Sequence, residues 1–410
     1  MDFELWWLIL VPVLFGLGWV AARVDVRQML SETRKLPDSY FRGLNFLLNE
    51  QPDRAIDAFI EVAKLDPETV ELHFALGSLF RRRGELERAI RVHQNLLQRT
   101  DLPDRQRDQA LHELAQDYLK AGMLDRAEDG FQRLTGTRFA ADALRALIRI
   151  HEAEHDWPRA IQAVQTLQGL VDQPVPQAAH YHCEQAATAL AATPPDLEAA
   201  HVALDAAQHV AGDTESGTAP SRVRIGLLRA RLAALENDAR TERMQLQRVV
   251  TEQPEFAGMA APALFANHRQ DGTQDQALAL MQSVYQRQPS FDVFDAIFQA
   301  LSKDQGNAPA WHFARDALKK QPSLLGLDRL LQAQLQRPKE GDAPADADDA
   351  WVSDADATLM RSLIGKHTQR LARHACSACG FRAQRFYWQC PGCNAWETYS
   401  PRRLEELEGN

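Results

Sequence analysis

Glycine and proline are scarce in this chain, 21 and 20 of 410 residues. Helix breakers are therefore few, while Ala, Leu, Gln and Arg are plentiful, a composition that favours helix. Basic charge is also short. Lys and Arg number 46 against 56 Asp and Glu, and no long basic patch offsets the net charge of −10. That balance argues against a nucleic-acid binder, which would usually be basic. Catalytic signatures are missing too: there is no phosphate loop, no G-x-S-x-G and no dinucleotide fingerprint. Cysteines number only five, yet four of them fall in a pattern. The length allows two or three domains.

Cys376 and Cys379 form one C-x2-C pair, and Cys390 and Cys393 form another after ten intervening residues. Such pairs form a knuckle site, in which four thiolates converge tetrahedrally on a single ion. Gly380 and Gly392 lie where each loop needs φ > 0 or room near the sulfurs. Paired spacing of this kind disfavours two disulfides or four free thiols. Thiolates that hold metal stay reduced, which places this end of the chain in the cytosol. All four ligands come from the protein, so no coordination position is open for catalysis. Iron and zinc both accept tetrahedral sulfur, and the spacing does not decide between them.

Only one long hydrophobic run is present. Leu5 to Ala22 is 18 residues without a charge, at the short end of the roughly 17–25 that span a bilayer. Trp6, Trp7 and Trp19 lie near its ends, where indole rings favour the interface. A signal peptide would carry positive charge before the apolar stretch. Here Asp2 and Glu4 precede it, while Arg23, Arg27, Arg34 and Lys35 follow. An uncleaved anchor over 1–22 is expected, with a basic juxtamembrane segment over 23–35. The positive-inside rule puts the bulk of the chain in the cytoplasm, the side that the knuckles require.

Residues 36–336 carry a repeat. Small and large residues recur at a spacing of 34: Gly43, Ala55 and Phe59 are followed by Gly77, Ala89 and His93. The tetratricopeptide pattern wants a small residue at position 8, an aromatic at 11, Ala at 20 and a large residue at 24. Phe46, Phe80 and Tyr118 hold position 11. Ala55, Ala89, Ala127, Ala160, Ala200 and Ala277 hold position 20, and Phe59 and Phe131 hold position 24. Pro67, Pro289 and Pro322 close repeats. Val70 to Thr100 is the most legible unit, with Gly84 at its turn, and Gly122 marks the turn of the next. A fourth centres on Asp156 to Ile161. The units near Leu197 and from Arg224 to Val250 are degenerate. Eight or nine repeats are expected, stacked so that small residues let helices approach and large ones fill the seams.

The tail is organised differently. Seven acids fall between Glu340 and Asp356, so 337–356 reads as a solvated linker. Residues 357–410 read as a short helix, Thr358 to Leu371, followed by the metal module. Phe381, Phe386, Tyr387, Trp388, Trp396 and Tyr399 pack around the knuckles. A unit that small cannot make a sufficient core alone, so metal supplies folding energy. From Thr358 onward eight bases face four acids. This positive module could dock on the acidic repeats, or its charges could be scattered and solvated.

Other chemistry-bearing residues carry little. His180 and His182 flank Tyr181 without an evident carboxylate partner. His151 and His155 sit at i, i+4, but Glu152 lacks the H-E-x-x-H register. Both pairs read as surface or packing residues. Cys183 reads as a small apolar residue in a helix seam. No catalytic or organic-cofactor residue is assigned.

The whole arrangement resembles the lipopolysaccharide assembly protein B family of Gram-negative bacteria. The resemblance is carried by Gly43 to Asn49, Arg83 to Gln94, Asp125 to Asp129, Cys379 to Phe381, Tyr387 to Cys393, and Ala395 with Trp396. It implies an all-α fold: a tetratricopeptide-repeat superhelical solenoid with an amino-terminal transmembrane helix and a small rubredoxin-like metal knuckle domain. It also implies a non-enzymatic, single-pass inner-membrane adaptor. Members bring the UDP-acyl-N-acetylglucosamine deacetylase LpxC to the membrane AAA+ protease FtsH and engage an inner-membrane lipopolysaccharide sensor. A solenoid suits extended binding surfaces, and a tether raises the local concentration of what it binds. Two other readings stay open: a general scaffold for envelope assembly enzymes, and a rubredoxin-like electron carrier. Homo-oligomer formation also stays open.

Overall fold

The structure is a computed structural model that describes residues 51–65, 69–171, 175–212, 218–336, 352–368 and 373–404, with single positions before residue 51. It divides into two compact units, Met1–Ile150 and His151–Asn410. The expected anchor lies outside the described residues except for Phe15 and Trp19, as do Pro67 and most of the acidic segment. Among the described residues, no helix is long and apolar enough to cross a membrane.

The first unit runs through α1 (Pro52–Leu65), α2 (Val70–Arg83), α3 (Leu86–Leu97), α4 (Asp104–Lys120) and α5 (Leu124–Gln132), and α6 (Ala140–Ala153) carries the chain past its end. The expected repeat from Val70 to Thr100 is the pair α2 and α3. α2 stops where Gly84 turns left-handed at φ 81°, and the Glu85 N–H then closes on Phe80 O at 2.9 Å. Gly122, φ 72°, does the same after α4, with Met123 N–H on Tyr118 O at 2.9 Å. Without a Cβ, glycine adopts this conformation at no steric cost. Ala55, Ala89 and Ala127 are fully buried, and Phe59 and Phe131 fill the seams.

One seam of this unit is polar. His93 takes the place that Phe59 and Phe131 hold in neighbouring repeats, and it is fully buried. Its Nδ1 lies 2.6 Å from Asp117, and Arg81 donates to Asp117 at 2.8 Å and to Glu113 at 2.5 Å. A Cβ on Gly77 would stand 2.3 Å from the imidazole, so the missing side chain is what admits the ring. Burial raises the Glu113 carboxyl, but His112 and Arg81 outweigh it and hold it at about 2.

The second unit continues with α7 (Trp157–Leu170), α8 (Ala178–Ala191), α9 (Leu197–Gly212), α10 (Ala219–Leu235) and α11 (Ala239–Glu252). It goes on through α12 (Ala257–Gln270), α13 (Gln274–Arg287), α14 (Phe291–Asp304), α15 (Asn307–Lys320) and α16 (Leu324–Leu335). Within it, successive helices from α7 onward pack on one another. Asp156, Thr218, Asp238, Ser290 and Ser323 cap helix starts by accepting a backbone N–H, which satisfies one donor orphaned at each terminus. Ala160, Ala200 and Ala277 are fully buried, as is Cys183, a small apolar residue in the seam between α8 and its neighbours. Burial pushes the Cys183 thiol up to about 12.

The segment after the repeats departs from expectation at its start. α17 spans Asp354–Thr368, so it begins inside the stretch expected to be linker. Ser353 Oγ accepts the Asp356 N–H at 3.2 Å. Asp354 and Asp356 lie in the first turn, where carboxylates complement the helix dipole. α17 buries Ala357 and Ile364 against Leu331 of α16. The metal module follows, built on two short antiparallel strands, β1 (His374–Ala375) and β2 (Arg382–Ala383), with His374 opposite Ala383.

Candidate metal centre

Each knuckle is a tight loop held by its own backbone. In the first, Gly380 N–H closes on Cys376 O at 2.9 Å with Gly380 at φ 74°. In the second, Asn394 N–H closes on Cys390 O at 2.8 Å, and Asn394 itself is left-handed at φ 58°. Gly392 serves the other purpose expected of it: a Cβ there would press on Phe381 at 3.1 Å. An isolated bridge between Cys376 and Tyr399 ties the first loop to the end of the module.

The loops bring Cys376, Cys379, Cys390 and Cys393 together, with all four sulfurs within 4.8 Å of one another. Cys376 lies 3.8 Å from Cys393, and Cys379 lies 3.7 Å from Cys390. A tetrahedron of metal–sulfur bonds of about 2.3 Å has edges of about 3.8 Å. The donor set therefore fits one tetrahedral ion in both chemistry and span, and this spacing suits zinc and iron alike. Cys376 and Cys390 are buried, whereas Cys379 and Cys393 are exposed.

Neighbouring donors prepare the thiolates. Thr398 Oγ1 lies 3.2 Å from Cys376 Sγ, and Cys379 N–H points at the same sulfur at 3.4 Å. Burial pushes the Cys376 thiol up, but these hydrogen bonds outweigh it and bring it down to about 6. At Cys379 the Phe381 backbone N–H favours the thiolate, yet burial and the adjoining sulfurs push the thiol up to about 12. Four crowded sulfurs thus resist collective ionisation, and a bound cation relieves that repulsion.

The module is seated on the repeats of the second unit by one edge. The Trp396 indole stacks on His180 with ring centres 4.9 Å apart and an interplanar angle of 13°, and its Nε1 donates to Glu152 at 2.8 Å. Tyr181 donates to the same carboxylate at 2.6 Å. Beside Trp396, the Glu397 carboxylate lies 2.7 Å from His180 Nε2 and accepts from the Thr218 hydroxyl. Arg224 bonds Glu184 at 2.5 Å and spreads its guanidinium over both Trp388 and Trp396, 5.7 and 5.8 Å from the ring centres. Trp388 stacks in turn on Phe256 at 6.0 Å. At the far end Arg403 donates to Asp292 at 2.6 Å.

Two of these contacts define the electrostatics. Burial lowers His180's pKa, and this prevails over Glu397 and Glu184, which raise it. For Glu397 burial acts the other way, but His180 and Thr218 outweigh it and hold the carboxyl below its usual range. Glu397 also occupies left-handed backbone, φ 57°. That conformation costs a β-carbon residue roughly 1–2 kcal/mol and persists where surrounding contacts over-determine it.

The sequence places the four cysteines but misses the seat. His180, expected only to pack or face solvent, is fully buried and paired with an acid 217 residues later. Glu152 and Arg224 carry no local signal at all. Trp388 packs edge-on against Phe386 of the module at 4.9 Å, as expected, and both it and Trp396 also reach the repeats. The excess of aromatics on so small a module was the available hint, since its own interior cannot enclose six rings. His155 lies edge-on to Trp157 at 5.3 Å, and His182 is half-buried on α8.

Residues 374–401 match the rubredoxin metal binding domain family, and residues 42–100 match the tetratricopeptide repeat family. Lipopolysaccharide assembly protein B of Escherichia coli K12 is 31% identical over 398 residues, covering 96% of this chain and 97% of the relative. The Haemophilus influenzae protein of the same name is 26% identical, covering 97% and 98%. Among solved structures, a tetratricopeptide repeat protein from Parabacteroides merdae aligns at 13% identity and a TM-score of 0.30, over 73% of this chain and 100% of that one.

Proposed function

This chain belongs to the lipopolysaccharide assembly protein B family, and we propose that it is an inner-membrane adaptor that delivers LpxC to FtsH and so limits lipopolysaccharide synthesis. The observation that carries this reading is the seat of the metal module. A module whose four ligands all come from the chain, and whose aromatic edge is buried in a repeat array, suits a structural part. It makes one rigid binding surface from the repeats of the second unit and the knuckles together. A basic-flanked apolar segment at the amino terminus tethers that surface beside a membrane protease, where proximity substitutes for high affinity. The inner-membrane lipopolysaccharide sensor then acts on delivery rather than on chemistry.

The test is the lifetime of the deacetylase. Depleting this protein should lengthen it and raise lipopolysaccharide, and partial inhibition of the deacetylase should restore growth. An unchanged lifetime would replace the adaptor by a general scaffold for envelope enzymes. A second reading rests on the exposed Cys379 and Cys393 edges, through which an iron site could exchange electrons. Visible absorbance that bleaches on reduction would favour it, and a colourless zinc site would remove it.

A further inference from the structure

The docked module completes a cleft of about 560 Å3 at the end of the array, a size within the roughly 300–1,000 Å3 of ligand sites. One wall is the loop into α14, with Pro289, Phe291 and Phe294. The opposite wall is the loop into α16, with Gln321, Pro322 and Leu325, and the module supplies Arg402 and Arg403. Leu318 and Pro322 are shared with a neighbouring apolar hollow lined by Leu324, Leu327 and Leu330.

Charge in this cleft has one sign. Among the described residues, Lys320, Arg402 and Arg403 line it, and no carboxylate does. Arg403 is committed to Asp292 and lies over the Phe291 ring at 4.4 Å. Lys320 and Arg402 have no ion-pair partner among the described residues. Ser290 and Ser323 open the two flanking helices, of 14 and 12 residues, and each hydroxyl oxygen accepts a backbone N–H. Each hydroxyl proton is therefore left available to donate, and both helix dipoles add positive potential. Two cations unpaired among the described residues, two hydroxyls and two helix starts line one cleft beside aromatic and aliphatic walls.

We infer that this cleft binds an acidic peptide segment of a partner protein, with a carboxylate between Lys320 and Arg402 and a neighbouring apolar side chain in the hollow at Leu318 and Leu327. A peptide fits better than an acyl chain. The apolar hollow beside the cleft is shallow and open to solvent, whereas an acyl chain gains most from enclosure on all sides. Gln321 and the two serines also match backbone amides. The inference deepens the adaptor reading and rests on it only in that the occupant is a protein. Peptide binding can fail while the deacetylase lifetime still responds, and the reverse.

The experiment uses the full chain in detergent and a fluorescein-labelled peptide of aspartates and glutamates ending in leucine and phenylalanine, read by anisotropy. Wild type should bind with strong salt dependence. Lys320→Glu and Arg402→Glu should each weaken binding roughly tenfold or more, as expected for loss of a charge-assisted hydrogen bond. Lys366→Glu, on α17 outside the cleft, should leave it unchanged, and circular dichroism should show all three variants equally helical. No binding by wild type, or equal binding by the reversed-charge variants, overturns the site. Displacement of the peptide by short-chain phosphatidic acid more readily than by unlabelled peptide overturns the peptide as occupant in favour of a lipid anion.

Discussion

Trp396 stacks on His180 at 4.9 Å while the next residue, Glu397, approaches the same imidazole at 2.7 Å. Two consecutive residues of the metal module thus grip one side chain of α8, by its face and by its edge. The grip depends on the knuckles. Gln389 bridges to Trp396, and Cys390 N–H bonds Ala395 O at 2.8 Å, so the second knuckle fixes the ribbon that carries both residues. Metal binding and docking on the repeats are therefore parts of one structure.

Trp396→Ala should release the module from the repeats without unfolding them. It removes the stack on His180, the edge contact with Trp157 and the bond to Glu152. The loss should be roughly 2–4 kcal/mol, from aromatic burial and geometry together. Limited proteolysis of 352–404 should accelerate while helical circular dichroism holds. A module that stays protected would show that the seat lies elsewhere.

Cys390→Ser should abolish stoichiometric metal, because an incomplete tetrahedral set cannot supply the folding energy of so small a module. Cys390 is buried and its loop carries the ribbon to Trp396, so tryptophan fluorescence from Trp388 and Trp396 should shift towards that of solvated indole. Retention of one metal per chain with an unchanged spectrum would mean that the ligands are misassigned.

How much of this was legible in the sequence follows from distance along the chain. The repeat turns at Gly84 and Gly122 and the four ligands are local patterns, each set by a few neighbouring residues, and they read directly. The polar seam was half visible: His93 stood at the large-residue position that Phe59 and Phe131 hold elsewhere, but Asp117 lay 24 residues on with nothing to mark it as the partner. That the module could dock on the repeats was one of two open readings of its charge, but the residues of the seat were not legible. His180 and Glu397 meet across 217 positions, and no periodicity encodes such a pairing. The repeats that depart most from the pattern, around Leu197 and Arg224, supply Thr218 and Arg224 to the module.

Gly77→Ala tests the polar seam of the first unit. The added methyl would stand 2.3 Å from the His93 ring, and the ring has little freedom while Asp117 holds Nδ1. Overpacking of this kind costs about 1–3 kcal/mol. Thermal unfolding should begin earlier in a fragment or probe reporting on residues 51–150, and His93→Ala in the same chain should relieve the clash. If Gly77→Ala alone is neutral, the imidazole is not fixed as described.

Acid should loosen the module in two stages, and the first belongs to His180. Its folded pKa is depressed by burial from the ordinary value of 6.5. The released state therefore binds the proton more readily than the docked state, so docking is fully stabilised above about pH 6.5 and weakens as pH falls towards the lower, docked value. Glu397 is also depressed, below the ordinary 4.5, because His180 and Thr218 outweigh its burial. Its contribution is present above that ordinary value and is lost only as pH drops through the folded value. A titration of tryptophan fluorescence from pH 8 to 5 should show the first stage alone. His180→Gln, which fills a similar space and cannot titrate, should dock more weakly at pH 8 yet lose the step between pH 7 and 5. Metal content measured alongside separates this step from protonation of the thiolates. A step that survives in His180→Gln with metal still bound would assign it to another group.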